Sequence, residues 1–247
     1  MYFRPLQKWE PQYFSHFWNE IRREYPDVLV HPPLNTEQGV REEWSAQNAR
    51  WWYFHKSDRR LVQVQNGRFI QNWRKRGPGD SYLHYDLLRP SFESMWTQFK
   101  AFLSAKSASE LKAEVCEVTY VNHIDRGSGW NTFADLPNVV TCWSGQTLGK
   151  FLPSPNQVLF NAFYPFSERS GQLHVAIQPG IRDSDKKETL QLTITARCKP
   201  DSSDTAELLR CLDLNRLRVV RGFADITTPA MHEIWGRKER RPRRRTR

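Results

Sequence analysis

"LVQVQNGRFIQNW", residues 61–73, is the stretch that decides the fold of this chain. Asn66 and Gly67 tolerate the positive φ that a two-residue type I′ turn requires, and β-forming residues flank them on both sides. The pattern predicts an antiparallel hairpin whose turn sets the register, with Val64 opposite Phe69. A sheet of antiparallel strands is therefore expected at the centre of the fold.

The two faces of this hairpin differ in polarity, because successive side chains of a strand point to opposite sides of a sheet. The register places Gln65 opposite Arg68. One face is predicted to be core, and it consists of Val62, Val64, Phe69 and Trp73. The other face is mostly polar and consists of Gln63, Gln65, Arg68 and Asn72, with Leu61 and Ile70.

A cationic cluster follows the hairpin directly, at Arg74, Lys75 and Arg76 beside Trp73. Cations interleaved with an aromatic ring suit single-stranded nucleic acid, because the charges hold phosphates and the ring holds a base. The alternative is a solvated strand end, and the register favours it because Trp73 falls on the apolar face. These four residues are the candidate nucleic-acid-binding residues in the body of the chain.

Amphipathic helices flank the strands. Residues 11–25 place apolar side chains on a single helical stripe that Pro26 must end. Residues 90–103 repeat the stripe, and Pro90 suits the first turn of that helix. A short buried strand is expected at 51–55.

The polar, small-residue segment "SAKSASELK", residues 104–112, is the best point to divide the chain. After it come β-rich segments joined by short links, which favours antiparallel pairing. In the last of them Leu190, Leu192, Ile194 and Ala196 are predicted to face inward. Strands are predicted at 114–124, 139–143, 158–163, 172–178 and 189–197, and helices at 204–226 and 228–236.

These elements predict an α+β protein, with antiparallel sheet or sheets and helices packed on one face. The expected organisation is an N-terminal half, residues 1–106, a C-terminal half, residues 107–236, and a flexible basic tail, residues 237–247. Each half reads as strands followed by a helix. The plan is compatible with two related halves and also with a single continuous sheet.

The positive charge of the chain is concentrated in the tail. The formal net charge is +10, but residues 237–247 carry seven Arg and one Lys against one Glu, so only +3 remains on residues 1–236. Such a tail would bind polyanions weakly, without sequence preference and with a steep dependence on salt, or would only aid solubility. Its candidate nucleic-acid-binding residues are Arg240, Arg241, Arg243, Arg244 and Arg245.

Composition narrows the class of protein. Aromatic residues make up 13% of the chain, which is typical of a globular protein with an aromatic-rich core or interface. No apolar run approaches the ~20 residues of a membrane span, and the N-terminus lacks the features of a signal peptide. We therefore expect a cytoplasmic protein without membrane association. We also expect reduced core thiols rather than a metal site at the four widely spaced cysteines, Cys116, Cys142, Cys198 and Cys211.

Local motifs for catalysis are weak. No glycine-rich phosphate loop occurs. Glu110 and Lys112, with Asp80 or Asp86 upstream, have the residue types of a nuclease centre, but they fall in the polar joint, which favours a solvated segment.

The segment "VNHID" combines Asn122, His123 and Asp125, and a His oriented by an Asp can act as a base. However, neighbours in an extended strand point to opposite faces. Asp183, Asp185 and Glu188 do not meet the calcium-loop pattern and indicate an exposed hairpin loop. No catalytic or metal-ligating residue and no cofactor is predicted.

Several separate segments together resemble a sporadically distributed bacterial family of proteins of about this length and of unknown function. The strings that carry the resemblance are "LVQVQNGRFIQNWRK", "EVTYVNHI", "FNAFYPF", "GQLHVAIQPGIR", "LTITAR" and "LDLNRLRVVRGFADITTPAMHEIWGRK". The likeness covers almost the whole chain, but it implies no catalytic or ligand residues. The patchy distribution of the family is similar to that of genes on mobile or defence-related elements. Relatives begin with an apolar strand before the segment matching "FRPLQKW", whereas Met1 lies almost immediately upstream here, which puts a strand at the sheet edge in doubt.

Three functions are compatible with these observations. The first is a non-enzymatic protein-interaction module of a bacterial, mobile-element or defence-related system, because abundant Trp, Tyr and Phe supply anchors for a protein partner. The second is a nucleic-acid-binding protein that uses the tail with Arg74, Lys75 and Arg76. The third is an enzyme, such as a nuclease, whose site is assembled across the fold and leaves no local motif. The oligomeric state stays open.

Overall fold

The computed structural model describes residues 1–34, 43–77, 79–80, 83–106, 110–147, 149, 151–182 and 185–237. The helices in these residues are α1 (Gln12–Ile21), α2 (Tyr85–Ala105), α3 (Leu136–Val139), α4 (Thr205–Ile226) and α5 (Pro229–Ile234). The strands are β1 (Tyr2–Phe3), β2 (Asp27–His31), β3 (Arg50–Phe54), β4 (Arg60–Gln65), β5 (Arg68–Trp73), β6 (Ala113–Asp125), β7 (Phe160–Phe166), β8 (Gly171–Ile181) and β9 (Glu188–Cys198). The predicted α+β class with antiparallel strands is confirmed.

The chain divides into two compact units. Unit 1 comprises Met1–Glu117, Glu168–Ser170 and Arg197–Asn215, and unit 2 comprises Val118–Ser167, Gly171–Ala196 and Arg216–Arg247. The units are discontinuous along the sequence, because β6, β9 and α4 each contribute residues to both. The division of the chain into two contiguous halves, residues 1–106 and 107–236, stays a prediction drawn from the sequence.

In unit 1 the strands neighbour one another in the order β2, β3, β4, β5, β1 and β6. The predicted hairpin is β4 and β5, and its register is confirmed, with Val64 opposite Phe69 and Gln65 opposite Arg68. Gly67 has a φ of +93°, as the tight turn requires. Tyr2 of β1 pairs with both β5 and β6, so this segment is an inner strand rather than an edge strand.

Helices α1 and α2 cover one face of this sheet with aromatic side chains. The Phe69 ring of β5 lies 5.0 Å from Phe99 and 5.4 Å from Trp96, both of α2. Phe17 of α1 packs edge-on against Tyr53 of β3, with ring centroids 5.9 Å apart. All five side chains are buried, so the apolar face of the hairpin is core, as predicted.

The opposite face of the hairpin is polar, as predicted, but it is less open than a solvated face. Gln63 and Gln65 are only 7% and 3% exposed. Their amide oxygens accept hydrogen bonds from the protein, because Arg50 donates to Gln63 and the Leu34 backbone N–H donates to Gln65. The Gln63 amide also donates to Asn72. Buried amides are tolerated when their hydrogen bonds are made inside the protein.

In unit 2 the strands neighbour one another in the order β6, β9, β8 and β7. The inward residues predicted for β9, Leu190, Leu192, Ile194 and Ala196, are all fully buried. They pack with side chains from β8 and from the three helices of this unit, which lie on one face. The helix residues in this core include Leu136, Val139, Val219, Ile226 and Met231.

The prediction of a strand at residues 139–143 is wrong. Val139 ends helix α3, and Val140 makes only an isolated antiparallel bridge to Thr227. Thr132 and Asp135 form a capping box ahead of this segment, and Pro137 lies in the first turn of α3, so the local start signal is helical. Val139 and Val140, which are of a type that favours strands, are instead buried in the core of unit 2.

The position of Pro90 also differs from the prediction. Helix α2 begins at Tyr85, so Pro90 lies inside the helix rather than in its first turn. The residues that extend this helix ahead of Pro90 are held by contacts within unit 1, because Tyr85 and Arg89 both donate hydrogen bonds to Asp213 of α4. Helix α5 follows its prediction, since the Thr228 side chain accepts from the Met231 backbone N–H and Gly236 adopts a φ of +64°.

Candidate interaction surfaces

The cationic cluster after the hairpin is internally paired. Arg74 Nη2 lies 2.5 Å from Asp58 Oδ1, and Arg76 Nη2 lies 2.5 Å from Asp58 Oδ2. Although burial works in the opposite direction, the hydrogen bonds from Arg76 and Arg74 lower the pKa of Asp58. The guanidinium of Arg74 also lies over the Phe54 ring. Both arginines therefore have a protein carboxylate where a phosphate would bind.

The remaining predicted nucleic-acid residues are not brought together in the described part of the chain. Lys75 is exposed, and Trp73 is half-buried on the Phe69 side of β5. Arg237 contacts His232 at the end of α5. Arg240, Arg241, Arg243, Arg244 and Arg245 lie outside the described residues.

The "VNHID" segment does not assemble a catalytic pair. Asn122 and His123 lie in extended strand β6, where Asn122 donates to the Leu192 carbonyl and His123 Nδ1 lies 3.1 Å from Thr189 Oγ1. Asp125 is held instead by Arg182, 2.7 Å away. The carboxylate thus orients an arginine and not the histidine.

The acidic residues considered for metal chemistry are also dispersed. Asp80 is paired with Arg59, whereas Glu110 and Lys112 are exposed. Asp185 is paired with Arg182, which lowers the pKa of this carboxyl to about 2. Glu188 is paired with Arg126, and Asp183 lies outside the described residues. In the described ranges no group of three or more His, Cys, Asp or Glu is arranged to hold a metal ion.

None of the four cysteines forms a disulfide, and three of them are buried. Cys142 is half-buried, whereas Cys116, Cys198 and Cys211 lie in the core of unit 1. Burial and a hydrogen bond with Cys198 raise the pKa of Cys211 to about 12. A thiol that stays protonated at neutral pH is a poor nucleophile, so Cys211 is suited to fill space in the core rather than to react.

The most exposed apolar surface of unit 2 was not singled out by the sequence motifs. Strand β7 ends the strand order, and no Asp, Glu, Lys or Arg occurs from Phe151 to Phe166. What we call the β7 edge consists of the exposed side chains of this strand, Phe163, Tyr164 and Phe166, with Leu159 just before it, each more than a third exposed. Phe151 and Leu152, earlier in the same uncharged stretch, are 93% and 63% exposed. The absence of charge in a chain with 26% charged residues was the available signal.

The aromatic side chains of the β7 edge are held in place by neighbours. Phe163 stacks on His174 of β8 with ring centroids 4.3 Å apart and an interplanar angle of 5°. His174 in turn contacts the Asn161 side chain at 2.9 Å. The guanidinium of Arg218 lies 4.6 Å from the Phe166 ring centroid. The Phe163 and Phe166 rings therefore pack against neighbours although more than a third of each side chain is exposed.

Unit 1 has a smaller apolar surface beside its own terminal strand, β2. A cavity of about 350 Å³ is lined by Pro11, Val30, Trp44, Ser45, Ala46, Ala49 and Trp51. Trp44 and Val30 are 65% and 45% exposed. Leu29 and Val30 are the two exposed apolar side chains of β2.

None of the described helices is long and apolar enough to cross a membrane. Comparison of the chain with family models, with curated proteins and with solved structures gives no match. The resemblance to the sporadic bacterial family therefore stays a prediction, and functional inference depends on the surfaces themselves.

Proposed function

We propose that this chain is a non-enzymatic protein-interaction module that binds an extended segment of a partner protein along the β7 edge. The observation that carries the proposal is an aromatic edge strand with no charged residue. The terminal strand of a sheet offers unpaired backbone N–H and C=O groups, and natural proteins usually protect such a strand with charged side chains. The stretch from Phe151 to Phe166 has no charged side chain, and within β7 the other protecting residue type occurs once, at Pro165, which offers no backbone N–H.

Addition of a strand to β7 explains both kinds of exposed group. Backbone hydrogen bonds to the open edge would supply affinity, and contacts with alternate side chains would supply specificity. Phe163 faces one side of the sheet and Tyr164 and Phe166 face the other. A bound strand would therefore pack apolar side chains against rings on both faces.

The ordered rings favour an interface over a merely tolerated apolar surface. Large aromatic side chains bury much area at low entropic cost, particularly when neighbours already hold their rotamers. His174 and Arg218 hold Phe163 and Phe166 in this way. The preferred occupant is an uncharged, β-branched or aromatic segment, because a charged strand would lose its hydration against these rings. A bacterial, mobile-element or defence-related setting is part of the proposal through the family resemblance alone.

Site-specific photo-cross-linking tests the proposal. Benzoylphenylalanine is placed at position 163 or, as a matched control, at Leu87 of α2, which is 62% exposed against 58% for Phe163. In cells of the source organism we expect an adduct with one protein at position 163 and none at position 87. The cross-linked peptide, made synthetically, should bind the pure protein and slow hydrogen exchange of the β7 amides.

Two substitutions give the matched affinity test. We expect Phe163→Lys to weaken peptide binding at least about tenfold, as expected for an interface anchor, and Leu87→Lys to leave it unchanged. Equal adducts at both positions, or a peptide that ignores Phe163→Lys, would overturn the proposal. Adducts formed only with a second copy of the chain would replace the partner protein with self-association.

A further inference from the structure

Three nitrogen atoms without a hydrogen-bond partner belong to neighbouring side chains on the polar face of the unit 1 sheet, the face that carries Gln63. They are His31 Nε2 of β2 and Arg50 Nε and Trp52 Nε1 of β3, which we call the donor cluster. Within the described residues none of the three atoms has a partner, and all are shielded from solvent although their side chains are part-exposed. Arg50 and Trp52 donate, and His31 Nε2 donates in one neutral tautomer and in the imidazolium form.

The strand register brings these side chains onto one face. His31 lies directly opposite Arg50 in the β2–β3 pair. The His31 and Trp52 ring centroids are 4.0 Å apart, and the Arg50 guanidinium carbon lies 5.1 Å from the Trp52 ring centroid. Arg50 Nη1 donates to Gln63 at 3.2 Å, which fixes the guanidinium while its Nε stays unpaired.

The positive charge of the donor cluster is not neutralised by an acid in the part of the chain that the structure describes. No carboxylate lies within ion-pair distance of Arg50 or His31 there. Burial, followed by the nearby charge of Arg68, lowers the pKa of Arg50. Burial, followed by the charge of Arg50, lowers the pKa of His31. The smaller contribution in each case, the charge of a neighbouring arginine, is the part that a bound anion would offset.

The geometry favours an anion over a nucleobase. The Trp52 ring already packs against His31 and the Arg50 guanidinium, so its stacking surface is in use. What the three residues still offer is hydrogen-bond donation from a cationic site. Carboxylate and phosphate oxygens are the acceptors that arginine binds best.

We propose that His31, Arg50 and Trp52 form a binding site for an oxyanion, either a phosphate or a carboxylate group. The anion accepts hydrogen bonds from Arg50 Nε and Trp52 Nε1 and is neutralised by the guanidinium. The site belongs to unit 1 and does not depend on partner binding at the β7 edge of unit 2.

Titration followed by the indole N–H signals of the ¹⁵N-labelled protein tests this site. Trp52→Phe identifies the Trp52 signal, because it removes the donor and keeps an aromatic ring. Sodium phosphate and sodium acetate are titrated separately, with sodium chloride at matched ionic strength. We expect a saturable shift of the Trp52 signal with phosphate or acetate but not with chloride, and the tighter of the two identifies the type of oxyanion.

Arg50→Gln should weaken the binding about tenfold or more, as expected for loss of a charge-assisted hydrogen bond. Arg23→Gln, which removes the same charge from an exposed position of unit 1, should leave it unchanged. If Arg50→Gln does not fold, His31→Phe tests the same site from β2. A Trp52 signal that responds to no anion beyond chloride, or folded cluster variants that titrate like the parent protein, would overturn the proposal.

Discussion

Glu207 shows how strongly a single residue of unit 1 depends on its surroundings. This carboxylate is 4% exposed and accepts hydrogen bonds from Arg169, Arg210 and the Asp201 backbone N–H. The hydrogen bond from Arg169 is the main cause that lowers the pKa of Glu207 to about 2. Arg169 itself has a φ of +56°, an unfavourable backbone conformation for a residue with a side chain. The ion pair therefore stabilises both a buried charge and a strained loop.

We expect the stability of unit 1 to fall as acid protonates Glu207. The pKa of Glu207 in the folded protein, about 2, lies below its ordinary value of 4.5, so the stabilisation is complete above pH 4.5 and is lost as the pH falls towards 2. Glu207→Gln should lower the free energy of unfolding by roughly 1.5–3 kcal/mol at pH 7, the range for hydrogen bonds to charged groups. Urea unfolding at a series of pH values measures both effects.

The same series separates Glu207 from other acids. Asp185 of unit 2 also has a pKa of about 2 and loses its ion pair in acid, in both proteins alike. The difference between parent and Glu207→Gln should therefore shrink below pH 4.5. A difference that stays constant down to pH 2 would show that Glu207 is not the titrating group.

At the scale of elements, the turn of the β4–β5 hairpin is specified by its own residues and is also held by hydrogen bonds to residues near the N-terminus. The Asn66 side chain accepts from the Leu6 backbone N–H and donates to the Leu6 carbonyl. The Phe3 backbone N–H donates to the Gly67 carbonyl, which ties the turn to β1. The turn was predictable because its signal lies in adjacent residues, whereas its contacts with residues 3–6 required the fold.

Gly67→Ala should destabilise the protein by roughly 1–2 kcal/mol, because a side chain is strained at positive φ. The added Cβ would also lie 3.3 Å from the Phe3 carbonyl oxygen and from Pro5. Gly79→Ala is the matched control, since its φ is not in the left-handed region and no atom lies within 4 Å of the added Cβ. Urea unfolding compares the two variants, and equal stabilities would contradict the assigned role of the turn.

At the scale of the whole molecule, charge is distributed unevenly. Of the formal net charge of +10, +7 lies in residues 237–247. In the body of the chain, arginines are repeatedly matched with acids, as Arg74 and Arg76 are with Asp58. Net charge alone is thus a poor guide to where a polyanion would bind, because arginines that are already paired with carboxylates attract a polyanion only weakly.

We expect any binding of single-stranded nucleic acid to depend on the tail. Deletion of residues 237–247 should weaken binding sharply and flatten its salt dependence, because each lost phosphate contact reduces the slope by ~0.7. Replacing Arg74 and Arg76 with Gln should change the slope by less than about 1, because Asp58 already pairs with both. Fluorescence anisotropy with a labelled oligonucleotide over a range of salt concentrations measures both. Absence of binding at low salt would end the nucleic-acid hypothesis, and a larger effect of the arginine pair than of the tail would contradict the pairing.

The sequence by itself determined the class of fold, the hairpin register, the inward face of β9 and most helices. These features depend on the two-residue period of strands, the 3.6-residue period of helices and the conformational preferences of Asn66, Gly67 and Pro26, all of which act over a few neighbouring residues. The tertiary structure alone decided which strands became edges and which acids neutralised the predicted cations. Asp58 meets Arg76, Glu207 meets Arg169, and β7 ends a sheet only because distant segments pack together, and no local spacing records such contacts. The candidate surfaces therefore depend on the tertiary structure, whereas most strands of the sheet that carries them can be predicted from the local sequence.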